Sequence, residues 1–447
     1  MKVKGERGGA SKVRAMRPAL PKLRLPRADG RVGSAREHSL EYTVLITATL
    51  CLIAIGSVMV YSSTSATSLL EGQGYGSSYL IKFLIYGAIG LSLMHYLARG
   101  GIAKIQELTA PLLFGSILLV IAVHIPHVGV EINGAKRWIG PQQLQFEPSE
   151  LLKLALVLYS ATLIARRPRI VRSWHSLRWP LLAVVGVGLL AVASQPDIGT
   201  SMVICFTIGA ILAAAGTPTE LLTRIAIGLV LAGLFYVFVI ASGYARARLT
   251  SFLNPWATRH STGFQAVQGQ IAIGSGGLFG VGPGGSVQKI FYLPEAQSDF
   301  IIAVVGEELG LVGVCAVLFL YGLIAVAGIR AAQRARSQYA ALIAVGVTVL
   351  IVSQALLNVF AVVGLAPLTG VPLPLISYGS SSMIITLVAM GLLLDVAGGA
   401  TGHVRAVSDR RRGRAEDPQR LNREPDEDRD RRGRDGRARR AGARRRA

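Results

Sequence analysis

Charge is scarce along most of this chain. Only 16% of its 447 residues are Asp, Glu, Lys or Arg, and most of these lie in the two ends, while 51% are hydrophobic. A soluble protein cannot cover that much apolar surface, so the pattern excludes a soluble globular enzyme and indicates a polytopic membrane protein. Cysteine is scarce too. Cys51, Cys205 and Cys315 each sit in an apolar run, with no CxxC pair. That excludes a disulfide framework and a thiolate metal site, and the three read as small buried hydrophobes. No long soluble domain, internal repeat or metal-ligand cluster is visible.

The net charge of +22 comes from the ends. Residues 1–41 and 399–447 are rich in Arg and Lys without apolar periodicity, which predicts disordered cytoplasmic tails around a membrane domain at 42–398. Such tails suit anionic lipid or a cytoplasmic partner, and no nucleic acid is expected. The basic segment is too long for a cleavable signal, so the first apolar run reads as a retained anchor.

Ten apolar stretches are long enough to serve as spans: 42–61, 79–97, 108–125, 149–165, 179–194, 199–215, 222–241, 300–329, 340–363 and 380–396. The fold class expected is therefore all-α and polytopic, with ten transmembrane helices. Basic residues mark alternate connections: Arg99 and Lys104, then Arg166 to Arg178, Arg224, and Arg330 to Arg336. By the positive-inside rule these loops and both termini are cytoplasmic. The extracytoplasmic set is then 62–78, 126–148, 195–198, 242–299 and 364–379, and it holds most of the informative polar residues. The long loop 242–299, between helices 7 and 8, contains a Gly-rich run over 274–285 that suits tight turns and close approach to a ligand. Gly280 and Gly285 have P-loop spacing, but Ser286-Val287 follows where Lys-Ser/Thr is required, so a nucleotide site is not expected.

Several constellations in these loops carry chemistry. In 126–148, Asn133-Gly134 predicts a turn, and Lys136-Arg137 beside Trp138 reads either as an interfacial anchor or as an anion site. Ser149 is placed to cap the fourth span, with Glu147 and Glu150 at its positive end and Lys153 as partner for Glu150 or an anion. Asp197 reads as a helix cap. Arg246 and Arg248 either snorkel to headgroups or bind a diphosphate, and Gln265, Gln268 and Lys289 add polar reach. Asp299 stands at the start of the eighth span, with Glu307 and Glu308 deeper in it. Asp299 reads either as an N-cap or as a catalytic group. An acid buried near another acid acquires a raised pKa, which suits a general base, so Asp299 and Glu307 are both candidates. The last external loop, 365–382, is rich in Pro and Gly and contains Ser377, with Asn358 in span nine placed to support it. Irregular backbone at this depth must line a cavity or lie buried in protein.

These motifs, Asn133-Gly-Ala-Lys-Arg-Trp138, Gln145-Phe-Glu-Pro-Ser-Glu150, Gln195-Pro-Asp197-x-Gly-Thr200, Leu293-Pro-Glu-Ala-x-x-Asp299-Phe, Gly306-Glu-Glu-Leu-Gly310 and Pro372-x-Pro-x-Ile-Ser-Tyr-Gly379, together resemble the shape, elongation, division and sporulation (SEDS) family, FtsW/RodA. The resemblance covers about residues 42–398, and the Pro-Glu-Ala and Gly-Glu-Glu-Leu-Gly forms look like its division branch. It implies a glycosyltransferase that polymerises lipid II into peptidoglycan strands, working in the bacterial inner (plasma) membrane at the division septum. Partners implied are lipid II, undecaprenyl diphosphate, a class B penicillin-binding transpeptidase and other divisome membrane proteins. The family's essential acid maps onto Asp299. The usual His-Thr before it is Gln297-Ser298 here, so Gln297 takes no acid/base role. Resemblance and chemistry then assign Asp299 as catalytic, with Glu307, Glu150, Lys153 and Gln268 supporting the cavity. Lys136, Arg137, Arg246, Arg248, Lys289 and Ser377 are the diphosphate or substrate-binding candidates. No cofactor is demanded, although Mg or Mn could assist. The alternatives are a lipid II flippase and a non-catalytic scaffold for the transpeptidase.

Overall fold

The computed structural model describes residues 39–70, 76–132, 135–141, 145–240, 243, 246 and 251–399. Nearly all of the two tails, the Asn133-Gly134 turn and Arg248 lie outside the described residues. Among those described, nine helices are long and apolar enough to cross a membrane, and a tenth apolar helix, Ile198–Ala214, is shorter. In chain order the helices are α1 (Leu40–Leu70), α2 (Ser78–Leu97), α3 (Gly101–Ala122), α4 (Pro148–Arg166), α5 (Trp174–Ala193), α6 (Ile198–Ala214) and α7 (Thr219–Phe235). They continue with α8 (Phe264–Gly276), α9 (Ile301–Arg334), α10 (Gln338–Val363) and α11 (Ser380–Ala397).

The apolar runs form helices because such segments must satisfy their own backbone groups in lipid. The most buried spans are α4, α10 and α11, and the others pack round them. By contrast, α7 turns apolar side chains such as Val230, Leu231 and Leu234 outward, as a lipid-surrounded helix does. The three cysteines correct an expectation. Cys51 and Cys315 are exposed and Cys205 is half-buried, so none of the three is packed inside the protein core.

Three departures from the sequence reading have local causes. Helix α1 runs nine residues past the expected end at Tyr61. Its polar extension is helical, and Ser63, Thr64 and Thr67 satisfy their hydroxyl protons there by donating to the carbonyls of Val60, Val60 and Thr64. Helix α5 has a wide turn over Arg178–Leu182, at Pro180, which lacks an N–H. Finally, the long loop contains α8. This helix packs against α9 and α10, so the loop is not wholly irregular.

The small hairpin of β1 (Gly129–Ile132) and β2 (Ala135–Ile139) follows α3. Its strands pair antiparallel with a bulge between Val130 and Glu131, and they close at Ile132 opposite Ala135, around the expected turn. Ile139 also bridges to Phe146, which leads the chain into α4.

Candidate active site

Helix α9 is broken at Gly310, whose φ of 68° and ψ of −165° leave the helical region. A break inside a membrane helix orphans carbonyls and N–H groups, and the Gly-rich run supplies partners for both. Val281 N and Gly282 N donate to the carbonyls of Glu307 and Glu308 at 2.9 and 3.1 Å. In return Leu311 N and Val312 N donate to Gly277 and Leu278 at 3.0 and 3.2 Å. Contact is so close that a Cβ at Gly310 would lie 2.4 Å from Gly280 N. The expected close backbone approach is therefore real, and its partner is this chain's own broken helix.

The two acids beside the break are fully engaged. Glu307 accepts from the Ser286 hydroxyl and from Val287 N at 3.0 Å. Glu308 accepts from Ser62 Oγ at 2.6 Å and pairs with Lys289 Nζ at 2.7 Å. Lys289 also donates to Ser62 Oγ at 3.0 Å and to the Gly284 carbonyl at 2.9 Å. An ammonium has three protons, and all three have acceptors here. Lys289 thus neutralises the buried carboxylate of Glu308.

Asp299 lies half-buried just ahead of this break. It is not the helix cap: Phe300 occupies that position, without a side-chain cap. What fixes Asp299 is its backbone. Three successive carbonyls are held, Gln297 O by Tyr378 N at 2.9 Å, Ser298 O by the Ser377 hydroxyl, and Asp299 O by Asn358 Nδ2 at 2.7 Å. The Pro-rich loop 371–378 supplies two of these donors. It is itself held by α10, where Asn358 donates to Val371 O at 2.8 Å and Gln354 to Pro372 O at 3.2 Å. Gln354 and Asn358 are four apart and so share a helix face. Ser377, a substrate-binding candidate, is buried and also accepts from Leu373 N at 2.8 Å. Its hydroxyl shapes the seat of Asp299.

The network continues to α4. Lys153 Nζ donates to Gln354 Oε1 at 3.2 Å and pairs with Glu150 at 2.9 Å, and both members of the pair are buried. Ser149 is not the cap of α4, because Glu147 takes that position. The Ser149 hydroxyl instead donates to Glu147 Oε1 at 2.9 Å. Burial, then the carboxylates of Glu150 and Asp197, push Glu147 up to about 7, against opposing pulls from Arg137 and Lys153. Asp197 caps α6, accepting from Thr200 N at 3.0 Å, as the sequence predicts.

The remaining cations divide by exposure. Arg137 is buried, donates to Gln195 O at 3.1 Å and Pro196 O at 2.6 Å, and lies 3.7 Å from Asp197. It clamps the turn ahead of α6. Lys136 is exposed, 3.8 Å from Glu131, and Arg246 is exposed with its guanidinium on Phe238 O at 2.6 Å. Gln268 lies half-buried on α8, and Gln265 donates to Pro294 O at 3.2 Å. Among the described residues no three His, Cys, Asp or Glu gather where a metal ion could be held.

A recess of about 320 Å³ opens beside this region, lined by α1 hydroxyls, Tyr79, Lys289, Phe291, Leu293 and Gln297. The sequence reading missed Gln354, Ser62 and these α1 hydroxyls. The available signal was polar residues at helical spacing inside or next to apolar runs, which are costly in lipid unless they have partners.

Comparison with known proteins places this architecture. The FtsW/RodA/SpoVE family profile, described as cell cycle protein, matches residues 42–401. A probable peptidoglycan glycosyltransferase FtsW of Geobacter sulfurreducens is 35% identical over 354 residues, 79% of this chain and 94% of that protein. The stage V sporulation protein E of Bacillus subtilis is 35% identical over 356 residues, covering 79% and 96%. Among solved structures, one described as "Structural coordination of polymerization and crosslinking by a peptidoglycan synthase complex" matches with a TM-score of 0.65 at 29% identity, over 79% of this chain and 96% of the other.

Proposed function

This chain belongs to the FtsW/RodA/SpoVE family, and from that premise we propose that it is a peptidoglycan glycosyltransferase that polymerises lipid II at the outer face of the inner membrane during septal wall synthesis. The observation that carries this reading is the seat of Asp299, a half-buried acid whose own and two preceding carbonyls are each held by a separate donor. Such fixing is what a general base needs, because proton transfer depends on a defined position relative to the acceptor hydroxyl.

In the proposed step, Asp299 takes the proton of the acceptor N-acetylglucosamine 4-hydroxyl. That oxygen attacks the anomeric carbon of the donor N-acetylmuramic acid, with inversion. The bond from that carbon to the diphosphate oxygen breaks, and undecaprenyl diphosphate leaves with the electron pair. Lys136 and Arg246, both exposed, are the described cations assigned to the diphosphate. Arg248 lies outside the described residues. Lys289 and Arg137 leave the diphosphate set because the protein engages them, and Ser377 leaves it as a positioning group. No step is routed through a metal ion.

Ten spans with both termini cytoplasmic put Asp299 on the side where strands are assembled. This topology is part of the proposal, as is a class B penicillin-binding transpeptidase as working partner within the divisome. A flippase needs polar groups along a path through the bilayer. Here the buried ions Lys153–Glu150 and Lys289–Glu308 pair with each other instead. The deciding experiment supplies labelled lipid II to the purified chain with its transpeptidase. Strand formation is expected, and its absence with every partner would leave the scaffold reading.

A further inference from the structure

The α1 extension was expected to be loop, and the catalytic proposal gives it no task. Its hydroxyls nonetheless line the 320 Å³ recess: Ser63, Thr64, Thr67 and Ser68, facing Tyr79 of α2 and the segment Lys289 to Gln297. The size falls at the lower end of the range of about 300–1,000 Å³ for small-molecule sites. It suits a sugar ring better than a polyprenyl chain.

Hydrogen-bond accounting limits what can enter. Ser63 and Thr64 donate to Val60 O at 3.0 and 2.7 Å, and Thr67 donates to Thr64 O at 3.1 Å. A hydroxyl has one proton and two lone pairs, so these three present acceptors alone to the recess. Lys289 lines the same space, but its three protons are held by Glu308, Ser62 and Gly284. It offers an alkyl stem and no cation for an anion. Ser63, Thr64 and Thr67 therefore favour an occupant with O–H and N–H donors over a diphosphate, while Ser68, Tyr79 and Gln297 can serve as donor or acceptor.

Two further features fit a carbohydrate. Phe291 is 61% exposed at the edge of the recess and sits at φ 63°, a strained conformation for an aromatic residue that points to a functional constraint. Its ring offers an apolar face for the C–H side of a sugar. Gln297 brings an amide, both donor and acceptor, to the other wall, two residues from Asp299, and its backbone is pinned by Tyr378.

We propose that this recess is an N-acetylhexosamine subsite, in which α1 hydroxyls accept from sugar O–H and amide N–H groups while Gln297 ties the ring to the Asp299 segment. The choice of an N-acetylated sugar rests on the glycosyltransferase reading. The preference for a donor-bearing occupant rests on the recess alone.

The test uses the full chain in lipid nanodiscs and N,N′-diacetylchitobiose as probe, with binding followed by saturation-transfer NMR. Wild type is expected to bind it. Thr67→Val and Gln297→Leu should each weaken binding about tenfold, as loss of one hydrogen bond does, whereas Thr67→Ser should bind as wild type. In the polymerisation assay Thr67→Val should raise KM with little change in kcat. Competition by chitobiose against lipid II would assign the ring to the donor, and competition against strand ends to the acceptor. Unchanged binding in both weakening variants overturns the proposal, as does a wild-type protein that takes undecaprenyl diphosphate in the recess and no chitobiose. A chain that binds in the expected pattern yet makes no strands overturns the enzymatic reading and leaves the subsite standing. A chain that makes strands with unaltered Thr67→Val and Gln297→Leu behaviour overturns the subsite alone.

Discussion

The side-chain amide of Asn358 donates at 2.7 Å to the carbonyl of Asp299 and at 2.8 Å to that of Val371. One buried amide thereby fixes the acid's backbone to the Pro-rich loop that holds the two preceding carbonyls. Asn358→Ala removes both bonds without touching the carboxylate. Strand synthesis should fall roughly 10- to 100-fold in kcat, with KM nearly unchanged, because the loss is one of position. Steady-state kinetics on lipid II checks this, and a wild-type kcat would show that the seat is not needed.

Lys289 and Glu308 form a buried pair, and removing one member strands the other's charge. Lys289→Met should destabilise the protein by about 3–5 kcal/mol, whereas Lys289→Met with Glu308→Gln should recover much of it. Denaturation of the purified variants measures both. If Lys289→Met were fully stable but lost affinity for undecaprenyl diphosphate, Lys289 would belong to the substrate after all.

Gly310 sits at positive φ, with the backbone of Leu278 and Gly280 against the place a Cβ would take. Gly310→Ala should therefore cost several kcal/mol, on the order of the largest single-substitution effects. Gly322 lies in the same helix with open space around it, so Gly322→Ala should be neutral or slightly stabilising. Equal thermal stability of the two variants would contradict the account of the break.

The sequence made the helices legible because spans in lipid must be long and apolar, and those at α2, α10 and α11 fall within two residues of their expected bounds. It misjudged α1 because Ser and Thr read as loop, while their back-bonds to the helix are visible only in three dimensions. The Glu150–Lys153 pair was legible from its i, i+3 spacing. The Lys289–Glu308 pair was not, because the helix break that turns Glu308 toward Lys289 depends on backbone bonds to the distant Gly-rich run. Asp299 could be singled out from its place at a span boundary. The donors that hold it come from residues 358, 377 and 378, which no local pattern joins to it.

Glu147 is raised to about 7, chiefly by burial and then by Glu150 and Asp197. Since the folded state holds this proton more tightly than the unfolded chain, stability is greatest below the ordinary carboxyl range and falls as pH rises to about 7. Glu147→Gln removes the penalty. It should raise the thermal midpoint at pH 8 by an amount equivalent to about 1–3 kcal/mol and change little at pH 4. Melting curves at both pH values test this, and an equal shift at each would exclude titration of Glu147 as the cause.

The Asp299 carboxylate is the base assigned to the transfer step. The most direct measurement is single-turnover polymerisation of labelled lipid II by wild type and Asp299→Asn, each purified with its transpeptidase partner. Asp299→Asn keeps the backbone seat and removes the base, so a loss of at least about 10²-fold in the chemical step is expected with lipid II still bound. Glycan strands formed at the wild-type rate by Asp299→Asn would contradict it.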